Sequence, residues 1–471
     1  MIGRQERWQE DLFVAGPLRD LIPDDHILKR VDQVLDLSWL RQEVRDSYCE
    51  ENGRPSIDPE SALRLMLAGF FEGIVHDRKL MRQAQVNLAI RWFAGYRLDE
   101  TLPEHSSLTR IRQRWGPERF KKVFQKTVQA CVAAGLVDTE TVHVDATLIR
   151  ADVSWESLVE VHAEKVLTEN AEEGDDGPER GGESGKPKKR STTDPEATMT
   201  TSRKDTRLEP SYKQHTAVDD QAGVIVDVEV TTGEESEGKQ LLEQLERVEG
   251  NTGKHIGTVT ADATYAHAAN YAALEARNVE AVIPPQREPV RKRFPLRRFR
   301  YDARHDVVRC PAGRKLRRAT RGKKGWWYRS SVQDCGRCPL RARCLSEKAS
   351  VRQVVIVDGY AALLRARRKR LRWDDATYGK YVRHRWRVEG VHGVEKTQHG
   401  LRRAVRRGLS NVRIQSYLTA AVMNLKRLAA LLWPWLLRCL APRTRLEVIP
   451  AGCDGFSRGR IDFRTPLRRA A

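Results

Sequence analysis

The chain has 471 residues, with 84 Lys and Arg against 64 Asp and Glu, a formal charge of +20, and a pI of about 9.7. That excess is costly in self-repulsion unless a polyanion offsets it, so the composition points to nucleic acid as the partner. The length allows several domains, each with its own core, and exceeds what a small basic ribosomal protein would need.

Residues 1–136 read as helical. Met1–Glu10 lacks the apolar run of a secretory signal. Ser61–Phe71 carries apolar residues at helical spacing behind Pro59. Ser106 and Ser107 are expected to cap a helix over Leu108–Trp115, and Phe120–Leu136 gives another that ends at Gly135. Such a block suits DNA-end recognition or subunit pairing, or is simply a packing domain.

At residue 141 the pattern changes. Thr141–Ile149 alternates β-branched residues, as a strand does. The stretch 165–205 is Gly, Glu, Ser, Pro and Lys with little to bury, and reads as a mobile loop. Strands follow at Tyr212–Val218 and Gly223–Thr231, then a helix at Glu237–Val248, a strand at Ile256–Ala261, a helix at His267–Arg277 and a strand at Ala281–Pro284. Three strands followed by alternating helix and strand is the element order of an RNase H-like α/β core, a mixed five-stranded sheet with helices.

From Arg287 the chain turns basic, cysteine-bearing and short-stranded, as a small β-rich insertion would. Tyr378–Leu432 returns to helix, and the Arg- and Gly-rich end reads as a mobile tail. The expected units are therefore 1–136, helical; 137–285, first part of the core; 286–373, insertion; 374–440, second part of the core; and 441–471, tail. Leu428–Leu440 is the most apolar run near the end, and is too short to span a bilayer. A cytoplasmic, nucleoid-associated protein is expected, with no membrane partner and with reduced cysteines.

A polyanion that is also a substrate calls for acids. Phosphodiester cleavage at neutral pH uses divalent cations held by carboxylates. Asp145 stands mid-strand in Val-His-Val-Asp-Ala-Thr, a position unfavourable to a charge, and Asp262 ends the strand Thr258-Val-Thr-Ala-Asp. In this element order the first and fourth strands are neighbours, which brings the two aspartates together. Glu389 lies four residues after Arg385 and seven before Lys396, with all three expected on one helix face. The alternative for each is ordinary: a strand-end cap for the aspartates, a surface Arg385–Glu389 ion pair for the glutamate. His143 and His215 are expected to line the same sheet rather than bind metal.

Cys310, Cys335, Cys338 and Cys344 can form a structural Cys₄ zinc site, or remain free thiols. Around them cations and rings interleave, at Arg291–Arg300, at Arg314–Arg329 with Trp326-Trp327-Tyr328, and at Arg365–Trp373. The cations suit phosphates, and Trp326 or Trp327 could stack on an unpaired base. Arg402 and Arg403 open a further basic run just beyond Glu389.

The strand around Asp145, the run Thr-Ala-Asp-Ala-Thr-Tyr at Asp262, and Arg385-x3-Glu389-x6-Lys396 resemble the DDE insertion-sequence transposases. So do Gly53-Arg-Pro-Ser-Ile-Asp-Pro, Arg91-Trp-Phe-Ala-Gly-Tyr, Glu104-His-Ser-Ser, Thr193-Asp-Pro-Glu-Ala, Tyr212-Lys-Gln-His and Asn424-Leu-Lys-Arg-Leu, in order along the chain. The cysteines before the glutamate make insertion-sequence family eleven-eighty-two the most similar branch. The resemblance implies Asp145, Asp262 and Glu389 as ligands of two Mg²⁺ or Mn²⁺ ions. It also implies cleavage at terminal inverted repeats, transfer of the 3′-OH into target DNA, and a homodimer on double-stranded DNA. Arg385, Lys396 and Tyr381 would contact the cleaved strand. Relatives place a Tyr seven residues before the Glu; here that residue is Val382, with Tyr381 one step away. A nuclease of the same fold, or a silent DNA-binding regulator, are the rival readings.

Overall fold

The computed structural model describes residues 16–49, 56–161, 188–200, 208–286 and 293–440. Met1–Glu10, Gly53–Pro55, most of the stretch 165–205, Arg291 and the tail from 441 therefore lie outside the described residues.

Six helices open the chain: α1 (Ile27–Asp32), α2 (Leu40–Val44), α3 (Pro59–Phe71), α4 (Asp77–Val86), α5 (Leu88–Phe93) and α6 (His105–Ala133). Asp58 caps α3 by accepting from the Glu60 N–H, and Pro59 takes a first-turn position where its missing N–H costs nothing. Nearly every residue of α3 from Ala62 on is buried, so it forms the axis of the block. The serine cap expected at Ser106-Ser107 is not observed: α6 starts at His105, behind Glu104. The two expected helices are both present within this span: Gly116 (φ 68°, ψ 173°) leaves the helical region between them, and Pro117 opens the second.

The main sheet contains β1 (Thr141–Arg150), β4 (Thr198–Thr200), β5 (Glu209–Asp219), β6 (Ile225–Thr232), β7 (Thr258–Thr260) and β8 (Glu280–Val282); β2 (Leu158–Val161) and β3 (Lys188–Ser191) form a separate ribbon. Its order is β4-β5-β1-β7-β8, with β6 also on β5. β5 pairs antiparallel with β1 and β6, whereas β1-β7-β8 are parallel, joined through α7 (Glu237–Thr252) and α8 (Ala268–Ala276). The sheet is mixed as expected but has a sixth strand. β4 arises inside the stretch expected to be mobile, because its backbone pairs with the end of β5 and buried Asp194 accepts the Tyr212 hydroxyl at 2.6 Å.

The insertion is a five-stranded antiparallel sheet, β9 (Arg300–Asp302), β10 (Val307–Arg309), β11 (Lys315–Gly322), β12 (Gly325–Arg329) and β13 (Gln353–Val357), with two short helices, α9 (Val332–Gly336) and α10 (Arg341–Cys344). It has a core of its own around Phe299, Val308, Leu316 and Tyr328. The expected helix over Tyr378–Leu432 is interrupted. After α11 (Tyr360–Arg370) come α12 (Asp375–His384), a π-helical turn (Arg385–Glu389), α13 (Gly390–Gln398) and, after a loop, α14 (Leu409–Leu440). Gly400 and Gly408 hold positive φ in that loop, conformations a helix cannot continue through. Among the described residues no helix is long and apolar enough to cross a membrane.

The main hydrophobic core of the described residues runs from Ile22 through α3, α6 and the sheet to Ala429 in α14. Asn424 is its polar rivet. Wholly buried, its amide donates to the Ile225 carbonyl (2.8 Å) and accepts from the Ile225 N–H (2.9 Å), fastening α14 to the start of β6. Asn424→Ala strands both backbone groups, so a loss of about 2–4 kcal/mol is expected in denaturant titrations.

Candidate active site

β1 carries His143, Asp145 and Thr147 at alternate positions, hence on one face. Its parallel neighbour pairs His143 with Thr260, and the same register carried two residues on brings Asp262 level with Asp145. Burial pushes the Asp145 carboxyl up to about 6, helped by the negative charges of Asp262 and Glu237 and opposed by His392. The Asp262 carboxylate accepts the Thr264 N–H at 2.8 Å and is also met by the Thr264 hydroxyl, which lies 3.0 Å from Glu237. Tyr265, behind them, is fully buried. Glu237 went unnoticed in the sequence because an acid in a first helical turn is explained by the helix dipole.

The helical run from α12 to α13 lies along this face. His384 Nδ1 stands 3.0 Å from the Thr260 hydroxyl, itself 2.6 Å from His143 Nδ1, and His143 Nε2 is 3.1 Å from Asp220. At the far end Lys396 donates to Thr147 Oγ1 at 2.6 Å. Between them the wholly buried Glu395 accepts from Gln214 Nε2 (3.1 Å to either oxygen) and pairs with His392 Nδ1 at 3.0 Å. Gln214 is the cross-strand partner of Thr147, so this polar group lies on Asp145's side of the sheet. His215, opposite Ala146, falls on the other face and bonds to Thr231 at 2.9 Å.

Asp145 and Asp262 thus come together. Glu389 sits on the π turn with its carboxylate 60% exposed, accepting from Arg385 Nε at 3.2 Å; Arg385 is 80% exposed. The single helix face expected for Arg385, Glu389 and Lys396 is not observed. The wide turn adds a residue to the helical circuit, and Lys396 turns inward to Thr147 while the other two face water. Among the described residues no three His, Cys, Asp or Glu side chains surround a point where a metal ion could be held.

The other candidates are scattered around this centre. Tyr381 packs on Trp373, ring centroids 5.5 Å apart. Trp386, which the sequence reading passed over, projects from the π turn 70% exposed. Arg402 and Arg403 flank the end of β1. The Arg402 carbonyl accepts from the Arg150 N–H at 3.2 Å, and the Arg403 side chain reaches Asp152 at 2.9 Å. Trp326 has Arg318 over its ring, 3.4 Å from the centroid, while Trp327 is partly exposed. Cys310, Cys335, Cys338 and Cys344 line one small cavity in the insertion without closing on a common point. Burial pushes the Cys344 thiol up, and the other three cysteines add to it.

Two family models match the chain: Transposase domain (DUF772) over residues 16–114, and Transposase DDE domain over residues 309–429. The second contains the four cysteines and Glu389; Asp145 and Asp262 lie outside both. No curated protein matches. Among solved structures, the chain is similar to the Mos1 transposase paired-end complex with left transposon end, with 13% identity over 50% of this chain and 61% of that one, and a TM-score of 0.17. It is also similar to the Mos1 mariner paired end complex with Mn, with 15% identity, 53% and 68% coverage, and a TM-score of 0.16. Superpositions this loose do not establish a common fold. The chain spans about three fifths of the length of the first of these proteins.

Proposed function

We propose that this chain is a DNA transposase of the DDE type with an RNase H-like core, akin to insertion-sequence family eleven-eighty-two. The observation that carries the reading is Asp145, a half-buried carboxylate mid-strand beside Asp262, in a chain with two separate stretches that match transposase families. A half-buried acid held against like charges is destabilised by itself and is relieved by a cation, so the chemistry of this carboxylate pair suits a divalent metal, with further ligands to be drawn in on binding. Asp145 and Asp262 would hold Mg²⁺ or Mn²⁺, two ions in the full site, with Glu389 as third ligand once its pair with Arg385 opens. Bound there, the ions would polarise the scissile phosphate and favour attack by water or by a 3′-OH.

The chain's own residues supply the rest. Arg385, Arg402, Arg403 and the Arg-rich hairpin of β11 and β12 offer cations to the phosphates of terminal repeats and target DNA. Lys396, anchored on Thr147, brings a positive charge near Asp145. Tyr381 and Trp326, already packed on Trp373 and Arg318, border the DNA path. Two copies on paired ends, at the chromosome in the cytoplasm, complete the reading. The helical block would serve end binding or pairing.

Supercoiled plasmid bearing the flanking repeats, incubated with Mg²⁺, tests it. Nicks at the repeat ends and joined products are expected from the wild type, and neither from Glu389→Ala, while Glu237→Ala stays active. Cutting without joining of pre-cleaved ends favours the nuclease. Equal behaviour of wild type and Glu389→Ala favours the silent regulator, and loss in Glu237→Ala alone moves the third carboxylate there.

The four cysteines are proposed to hold a structural zinc, since soft thiolates around one pocket match that ion. One zinc per chain is expected by native mass spectrometry, lost in Cys338→Ser and kept in Cys49→Ser. A zinc-free wild type purified with zinc present rules it out.

A further inference from the structure

A histidine that ligates metal characteristically gives its other ring N–H to a carboxylate, which fixes the tautomer and presents a lone pair to the ion. His392 is built in this way. Its Nδ1 is 3.0 Å from the wholly buried Glu395, whose orientation is set in turn by Gln214. Its Nε2 is buried, in a side chain only 8% exposed, and has no hydrogen-bond partner among the described residues. A buried polar nitrogen without a partner costs stability unless something completes it.

Two fixed contacts define where that nitrogen lies. The His384 contact with Thr260 holds one end of the helical run at the level of His143, and the Lys396 bond to Thr147 holds the other end. His392 is one turn before Lys396, and Asp145 is two residues before Thr147 on the same strand face. The imidazole therefore falls along the stretch of sheet that carries Asp145, and of the charges acting on that carboxyl it is the strongest. Asp262 and Glu237 are the acids on the other side. His143 and His384 each meet the Thr260 hydroxyl through Nδ1, and His143 Nε2 turns to Asp220 at 3.1 Å, whereas His392 Nε2 faces no carboxylate within ion-pair distance among the described residues.

We propose that His392 is a nitrogen ligand of the divalent metal held by Asp145, oriented by Glu395 as a positioning residue. This rests on the metal-dependent reading above. It makes the centre a mixed nitrogen–oxygen site, which favours Mn²⁺ over Mg²⁺ relative to an all-carboxylate one.

Electron spin-echo spectroscopy of the full chain loaded with Mn²⁺ tests this without relying on activity. In the wild type a histidine nitrogen modulation is expected, changing when the protein is labelled with ¹⁵N-histidine. It should vanish in His392→Ala, and Glu395→Gln should weaken Mn²⁺ binding by about 10–100-fold. The labelled wild type gives the answer even if a variant fails to fold. Mn²⁺ binding that requires Asp145 but shows no histidine nitrogen overturns the proposal and leaves the metal-dependent reading intact. Modulation that persists in His392→Ala overturns it as well. Binding that is indifferent to Asp145→Asn overturns both.

Discussion

Asp145→Asn is expected to slow cleavage at the element ends by about 10³-fold or more while leaving DNA binding in place. The substitution keeps the shape of the side chain and removes only its charge. If Asp145 anchors the cation, that charge carries several kcal/mol of transition-state stabilisation, and each 1.36 kcal/mol is about tenfold in rate. In the proposed function DNA affinity would rest on the exposed arginines, which the change does not touch. Stability should move the other way. Burial raises the Asp145 pKa to about 6 in the folded chain, against about 3.9 in an unfolded one. Between those values the folded state binds the extra proton, so the metal-free wild type loses roughly 2–3 kcal/mol as pH rises from about 4 to 6. The Asn variant lacks that slope. With chelator at pH 7.5 it should melt above the wild type, and below it once Mg²⁺ or Mn²⁺ is supplied. Plasmid nicking, gel shift and melting curves read all three, and undiminished cleavage would sink the assignment of Asp145.

The sequence exposes the central part of this molecule because its signals are local. Alternating residues in β1, β5 and β6, the helical stripes of α7 and α8, and the short apolar strands β7 and β8 each announce themselves within ten residues or so. Their order alone brings β1 beside β7, and with it Asp145 beside Asp262. What is missed depends on partners far away. Glu395 looks like a surface acid until Gln214, from a strand nearly two hundred residues earlier, gives it a buried partner. β4 has too little apolar surface to be read as a strand, and is ordered by backbone pairing to β5 and by the Tyr212–Asp194 bond. The π turn has no compositional mark, yet it decides that Glu389 faces Arg385 and water while Lys396 faces the sheet. Trp326 reads as a free ring because the bulged pairing that lays Arg318 on it is not a local property.

The largest loss of stability is expected far from the carboxylates, at Asp77. Its carboxylate accepts from both terminal guanidinium nitrogens of Arg112, at 2.6 and 2.7 Å, and is also bonded by Arg406 and by Thr109 at 3.2 Å. Asp77 and Arg112 are both buried. Asp77→Ala leaves two cations facing each other with no anion, and a cost of about 3–5 kcal/mol is expected in urea or guanidinium titrations. Removing both members of the buried pair, as in Asp77→Leu with Arg112→Met, should recover most of that, since the penalty lies in the uncompensated charge. The pH sign is opposite to that of Asp145. Burial raises the Asp77 pKa, but the bonds and charges of Arg112 and Arg406 outweigh it, so the net shift is downward. Its contribution is complete above the unfolded carboxyl pKa, near 3.9, and is lost as pH falls through the lower folded value. Arg406 belongs to the loop between α13 and α14, where the Arg402 and Ala404 backbone bonds to Arg150 at the end of β1. The ion triad therefore ties the helical block to the segment that carries Arg402 and Arg403, the residues proposed to meet DNA. Asp77→Ala should loosen that segment as well, visible as faster amide exchange at Ala404 and Val405, whose N–H groups bond to the Arg150 carbonyl and to Gln415. Unchanged exchange there, with the stability loss present, would confine the triad to holding the fold.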